Sequence, residues 1–153
     1  MKKFKFRLEG LYRLRKEEER QALFLVQELR QKEIFLLQEI RRVGDERQEW
    51  TRKYNGIGLE PNSQSDLFMI EQYFIVLEKE ERTLQDNLTK VYRDLESAVA
   101  KVKLTYRARR QIERLKEKQQ EEYDAEIKRK EMRDIDEFNA LNFVHRMPQE
   151  QVH

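Results

Sequence analysis

Cysteine is absent from the 153 residues, so this chain can build neither a disulfide nor a thiolate metal site. Histidine occurs only at His145 and His153, close to the C-terminal end, and no His-Glu-x-x-His spacing is present. Acidic residues are so abundant that a cluster of them carries no information about metals. Proline is scarce too, with 2 residues, and glycine numbers 4. The one glycine-rich spot, Asn55-Gly56-Ile57-Gly58, has neither the spacing of a dinucleotide fingerprint nor that of a phosphate loop, and it reads as a turn. Long apolar runs are missing as well. Ile34–Leu37 and Phe74–Leu77 span four residues each, where a membrane crossing needs about 20. The start, MKKFKFRLEG, is basic without an apolar stretch, so no secretory signal is expected in it.

What fills the chain is charge. It is 41% charged and 38% hydrophobic, whereas an ordinary globular domain is about 25% charged. Such a chain cannot wrap a deep core, but it can bury one narrow stripe along a long helix. Disorder is the rival reading of high charge. Against it, 32 basic residues nearly balance 30 acidic ones, and the large apolar residues are regularly spaced. The net charge of +2 exerts no general pull toward nucleic acid.

The second half carries the clearer signal. Positions 67, 70, 74, 77, 81, 84, 88, 91, 95, 98 and 102 are Leu, Ile, Phe, Leu, Glu, Leu, Leu, Val, Leu, Ala and Val. Alternating steps of three and four put these side chains on one seam of a helix, with the mean repeat of a coiled coil. No glycine or proline interrupts between Asn62 and Pro148, and Ser63 or Ser65 is a suitable N-cap. In the first half, Phe4, Leu8, Leu11, Ala22, Leu25, Leu29, Leu36, Val43 and Trp50 share one such series. Val26, Leu37, Ile40 and Tyr54 lie on a neighbouring stripe, so the seam can drift. Gly44 costs about 1 kcal/mol of helix propensity, too little to break a long packed helix.

These patterns predict an all-α chain: a long antiparallel two-helix coiled-coil hairpin with a C-terminal helical overhang. It is a single coiled-coil domain over 1–153. Helix 1 covers about 4–54, a turn about 55–64, helix 2 about 65–142, and 143–153 form a frayed tail. If residue i faces 120 − i, Val43 meets Leu77, Leu36 meets Leu84 and Trp50 meets Ile70. One pairing is poor: Glu39 opposite Glu81, where Arg42 and Arg82 can offset the repulsion. Helix 1 is then roughly 75 Å long and helix 2 roughly 115 Å. Beyond about residue 116, helix 2 lacks a partner in this chain. Charge is also segregated: residues 1–16 carry seven Lys/Arg against one Glu, and residues 119–137 carry eight acids against four bases. Alternating charge blocks can set docking and register.

A two-helix hairpin offers no rigid cleft to orient a catalytic triad, so no catalytic residue, cofactor or metal ligand is expected. The basic stretch KLTYRARRQIERLK, Lys103–Lys116, can bind phosphates or lie on an anionic membrane. The plainer reading is a solvated face or a docking surface for an acidic protein. Phe24, Phe35, Trp50, Tyr54, Phe68 and Tyr73 cannot all face inward between two helices. They leave either a local cap at the bend or an exposed aromatic patch suited to a partner. Glu39, Val43, Glu46 and Trp50 form one stripe at the edge of the seam, and Tyr73, Leu77, Glu80 and Leu84 form the opposing one. Together they make a candidate two-helix docking face near the bend.

Four stretches carry a family resemblance: FKFRLEGLYRLRKEEE at Phe4–Glu19, the turn near 55–64, QYFIVLEKEERTLQ at Gln72–Gln85 and MRDIDEFNAL at Met132–Leu141. They resemble the flagellar FliJ family, the small coiled-coil component of the bacterial flagellar type III export apparatus. The resemblance implies a non-enzymatic, stalk-like coiled coil that supports flagellum assembly and motility. Implied partners are the hexameric export ATPase, the cytoplasmic domain of the export gate membrane protein, and export chaperones. The implied location is the cytoplasm, peripherally associated with the inner face of the membrane at the flagellar base. No nucleic acid and no direct membrane span are expected, and the chain is a monomer before assembly. The ATPase ring is then expected at Phe4, Phe6, Leu8, Arg107, Arg109, Arg110, Tyr123, Asp136, Glu137 and Phe138, of which the last three match the family's C-terminal motif. The gate is expected at the face near the bend. The alternative is a structural coiled coil, or the equivalent stalk of a virulence-type secretion system.

Overall fold

In a computed structural model, which describes residues 2–57 and 64–150, the chain is all-α: two long helices packed against each other as a hairpin. Helix α1 is Glu9–Ile57 and helix α2 is Gln64–Glu150. Two compact units share these helices, one made of Glu18–Thr105 and the other of Met1–Glu17 with Tyr106–His153.

In the Glu18–Thr105 unit the core is a single seam. Ala22, Leu29, Leu36 and Val43 of α1 are buried at successive sevens, and Ile70, Leu77, Val91, Leu95 and Ala98 of α2 are buried with them. Leu29, Leu36, Val91, Leu95 and Ala98 form one cluster, flanked by Val26, Leu84 and Leu88. The α2 seam is the one its sequence specifies. The α1 seam differs at one position: Leu25 is largely exposed and Val26 is half-buried in its place. Val43 and Leu77, at 0% and 1% exposure, are the most completely buried large side chains.

The awkward pair Glu39 and Glu81 is resolved by arginines. Arg42 takes Glu39, and Arg47 donates to Glu81 at 3.0 Å. Arg82, expected to help there, instead pairs with Glu78 one turn back on its own helix. Helix α1 also runs further than its sequence suggests, through Asn55 and Gly56 to Ile57. No glycine among the described residues has a positive φ. The expected turn residues Gly58–Ser63, with the proposed cap Ser63, lie outside the described residues, and Ser65 sits inside α2 rather than capping it. At its other end α2 continues past Asn142 to Glu150, through most of the stretch expected to fray.

The second unit departs most from expectation. Helix α1 does not start at Phe4. Residues 2–6 are non-helical, a turn follows at Arg7–Leu8, and the Glu9 N–H donates to the Phe6 carbonyl at 3.2 Å. The local cause is the period of two in Phe4-Lys5-Phe6-Arg7-Leu8. In a non-helical chain residues i and i+2 share a side, whereas a helix would turn Phe4 and Phe6 about 200° apart. Phe6 is buried, Phe4 packs its ring 5.5 Å from Tyr123, and Lys116 Nζ pairs with Glu9 at 2.9 Å. Five such residues span up to about 16 Å, the rise of about 11 residues of helix. The N-terminal segment thus partners part of the stretch of α2 that was expected to stand alone. From residue 128 to residue 146, α2 is exposed at every position.

Candidate functional site

The face near the bend is built from side chains on both helices. Arg42 is its hub. Its Nη2 reaches Glu80 Oε1 at 2.7 Å and Glu39 Oε2 at 3.1 Å, and its Nη1 reaches Glu46 Oε2 at 3.2 Å. The hydrogen bonds it donates to Glu39 and Glu80 hold the Arg42 guanidinium above its ordinary pKa. The Tyr73 hydroxyl donates to the other oxygen of Glu46. That bond to a carboxylate, with the nearby negative charge, raises the Tyr73 pKa. Trp50 meets Tyr73 edge-on, with centroids 5.2 Å apart and planes at 60°, and Lys53 Nζ lies 4.5 Å from the Trp50 centroid. Next to them a cleft of about 320 Å³ is lined by Trp50, Asp66, Met69, Ile70 and Tyr73. Tyr54 donates to Glu71 and packs on Phe74.

The eight residues expected on this face therefore divide into two kinds. Glu39, Glu46, Trp50, Tyr73 and Glu80 are accessible or half-accessible: Arg42 joins the three glutamates, Tyr73 bonds to Glu46, and Trp50 packs on Tyr73. Val43 and Leu77 are buried, so no partner can touch them; they support the face from beneath. Leu84 is half-buried against the core cluster. Arg42 itself was missed as a member. Its signal is in the sequence, since Glu39, Arg42 and Glu46 are spaced three and four apart, the reach of an ion pair along a helix. Of the surplus aromatics, Trp50, Tyr54 and Tyr73 are engaged as described, while Phe24, Phe35 and Phe68 are exposed.

The residues expected at the ATPase ring lie in the Met1–Glu17 and Tyr106–His153 unit. Phe4 packs on Tyr123, Leu8 is half-buried and Phe6 is buried, so Phe6 is interior rather than presented. Arg109 pairs with Glu113 and lies over the Tyr106 ring. Arg110 pairs with Glu113 at 3.3 Å and Glu117 at 3.1 Å, and bonds to Glu117 and Glu113 raise its pKa. The positive charge of these two arginines is thus answered on their own helix, while Arg107 is exposed. Asp136, Glu137 and Phe138 are all exposed, Phe138 at 64%. The structure does not gather the ten residues at one spot; they form an N-terminal cluster, an arginine group and a distal motif along α2.

Among the described residues no group of acids and histidines could hold a metal ion. No described helix is long and apolar enough to cross a membrane. No curated protein and no solved structure matches the chain. The family model described as the flagellar FliJ protein matches residues 4–148, nearly the whole chain and both helices. On this match over both packed helices, the chain belongs to the flagellar FliJ family and is a non-enzymatic component of the flagellar export apparatus.

Proposed function

We propose that the chain is a stalk that docks through α2 in the ring of the hexameric export ATPase, reaches the cytoplasmic domain of the export gate with the face around Trp50 and Tyr73, and works alongside export chaperones. In this reading it acts in the cytoplasm, at the inner face of the membrane beneath the flagellum, and is a monomer until it assembles. One observation carries the ring assignment. Between Met132 and Val144, α2 exposes Met132, Ile135, Phe138, Leu141, Phe143 and Val144 at 54–64% each. Six large apolar side chains held open to water on one helical stretch favour cover by another body. A ring lumen supplies that cover on every side, and the family's C-terminal motif Asp136-Glu137-Phe138 lies in the middle of the stretch.

The gate assignment rests on the Trp50, Tyr73 and Met69 cleft, an apolar notch bordered by the Arg42 charge network. Aromatic and arginine side chains of this kind dominate binding energy at interfaces. The test is copurification of the export ATPase with the full chain and with a Phe138→Ala, Leu141→Ala double variant. Both side chains are exposed, so the variant folds normally, and it should lose the ATPase. Undiminished copurification would remove the α2-in-ring reading. In the same assay a Trp50→Ala, Tyr73→Ala pair should lose the gate domain and keep the ATPase.

A further inference from the structure

The N-terminal segment is more than a start to α1. It carries Lys2, Lys3, Lys5 and Arg7 between and around its two phenylalanines, and it lies on the acidic part of α2. Lys2 shares a cavity of about 770 Å³ with Tyr123, Glu126, Ile127, Lys130, Glu131 and Asp134. Phe4 stacks on Tyr123, Phe6 is buried, and Glu9 pairs with Lys116, which also lies 4.9 Å from the Tyr12 centroid. The segment is held by the Phe4–Tyr123 ring contact and the burial of Phe6, and the Glu9–Lys116 pair fixes the start of α1 beside it. Residues 2–6 lie outside both helices, and the Glu9 N–H to Phe6 carbonyl bond ties them to the start of α1, so the segment can open as a local unit.

The covered residues matter. Tyr123 and Ile127 are half-buried, and both lie on the side of α2 that the segment occupies. At 100° per residue, Phe138 and Leu141 fall within about 40° of the line through Tyr123 and Ile127. Of the six exposed apolar side chains beyond the segment, Phe138 and Leu141 therefore continue the face the segment hides. We infer that residues 2–8 are a strap, seated through Phe4 on Tyr123, that masks the inner part of α2's docking face, and that full engagement of the ring requires the strap to lift. This rests on the ring reading given above. The strap lowers apparent affinity by the fraction of molecules in which it is closed.

The chain's lack of cysteine makes the test clean, because introduced thiols are unique. A Lys2→Cys, Lys130→Cys variant joined by a short bismaleimide locks the strap shut, since both positions line the same cavity. A Phe4→Ser, Phe6→Ser variant frees it, with unchanged helicity by circular dichroism as the control on folding. Binding is read against the purified export ATPase in solution. The freed chain should bind about tenfold or more tightly than the parent, since a closed strap reduces the competent fraction. The locked chain should bind at least as much more weakly, and the same double-cysteine variant left unlinked should match the parent. Equal binding by locked, parent and freed chains overturns the strap and leaves the ring reading standing. Failure of all three to bind overturns the ring reading and the strap's role in it together.

Discussion

Leu77 is 1% exposed and packed in the seam between the helices, yet it stands in the middle of a surface that the sequence suggested for a partner. Replacing it with alanine separates the two roles. Removing a buried leucine side chain forfeits its transfer free energy and adds a cavity term, together about 3–5 kcal/mol in well-packed cores. Here the seam is one layer deep between two helices, so the walls can close in, and the lower end of that range, about 3 kcal/mol, is expected. The assay is urea unfolding followed by ellipticity at 222 nm, with Phe35→Ala as its partner. Phe35 is larger but 60% exposed, and its loss should cost under about 0.5 kcal/mol. Below the melting temperature of Leu77→Ala, binding to the gate domain should persist. A cost below about 1 kcal/mol for Leu77→Ala, or a comparable cost for Phe35→Ala, would refute the packing described here. Loss of gate binding in a fully folded Leu77→Ala would refute the claim that Leu77 acts only from beneath.

Gly44 lies within α1 with nothing within 4 Å of the place its Cβ would occupy, so Gly44→Ala should stabilise the chain by up to about 1 kcal/mol in the same unfolding assay. Tyr73 donates to Glu46, which raises its pKa, so this bond stabilises the fold at neutral pH and is lost only as pH rises through the elevated value. Trp50 is the single tryptophan and sits 5.2 Å from Tyr73, so alkaline quenching of its fluorescence should come later than for a free tyrosine, and Glu46→Gln should bring it earlier. Glu9 behaves in the opposite sense. Its hydrogen bond from Lys116 lowers its pKa, so its contribution is present above the ordinary carboxylate range and disappears as pH falls through the depressed value. Carboxylate NMR titration should show Glu9 returning to the ordinary range in Lys116→Met, and an unchanged titration would contradict the pairing.

The helices were legible because their seams repeat. Ile70, Leu77, Val91 and Ala98 recur at sevens, and burial follows that repeat. The neighbouring α1 position was less certain because Leu25 and Val26 are both apolar, and only packing against the core cluster decides which turns inward. The start of α1 was misjudged for a definite reason. Phe4 and Leu8 fit a helical step of four, while Phe4, Phe6 and Leu8 also fit a period of two. Only the presence of Tyr123 to receive Phe4 selects the second pattern, and that information lies more than a hundred residues away along the chain. The candidate docking face was half legible. Its aromatics stood out as surplus to the seam, but burial of Val43 and Leu77 depends on which edge each helix turns to the other. Arg42 is invisible as a hub until Glu80 arrives from α2.

The central claim is that α2 beyond the strap meets the ATPase while the Trp50–Tyr73 face meets the gate. Site-specific photocrosslinking in flagellated cells tests it directly, with benzoylphenylalanine placed at Phe138 in one strain and at Tyr73 in another. Position 138 is exposed and position 73 borders the open cleft, so both probes can reach a partner. The account predicts an ATPase adduct from position 138 and a gate adduct from position 73. A gate adduct from 138 with none to the ATPase, or the reverse at 73, would contradict it.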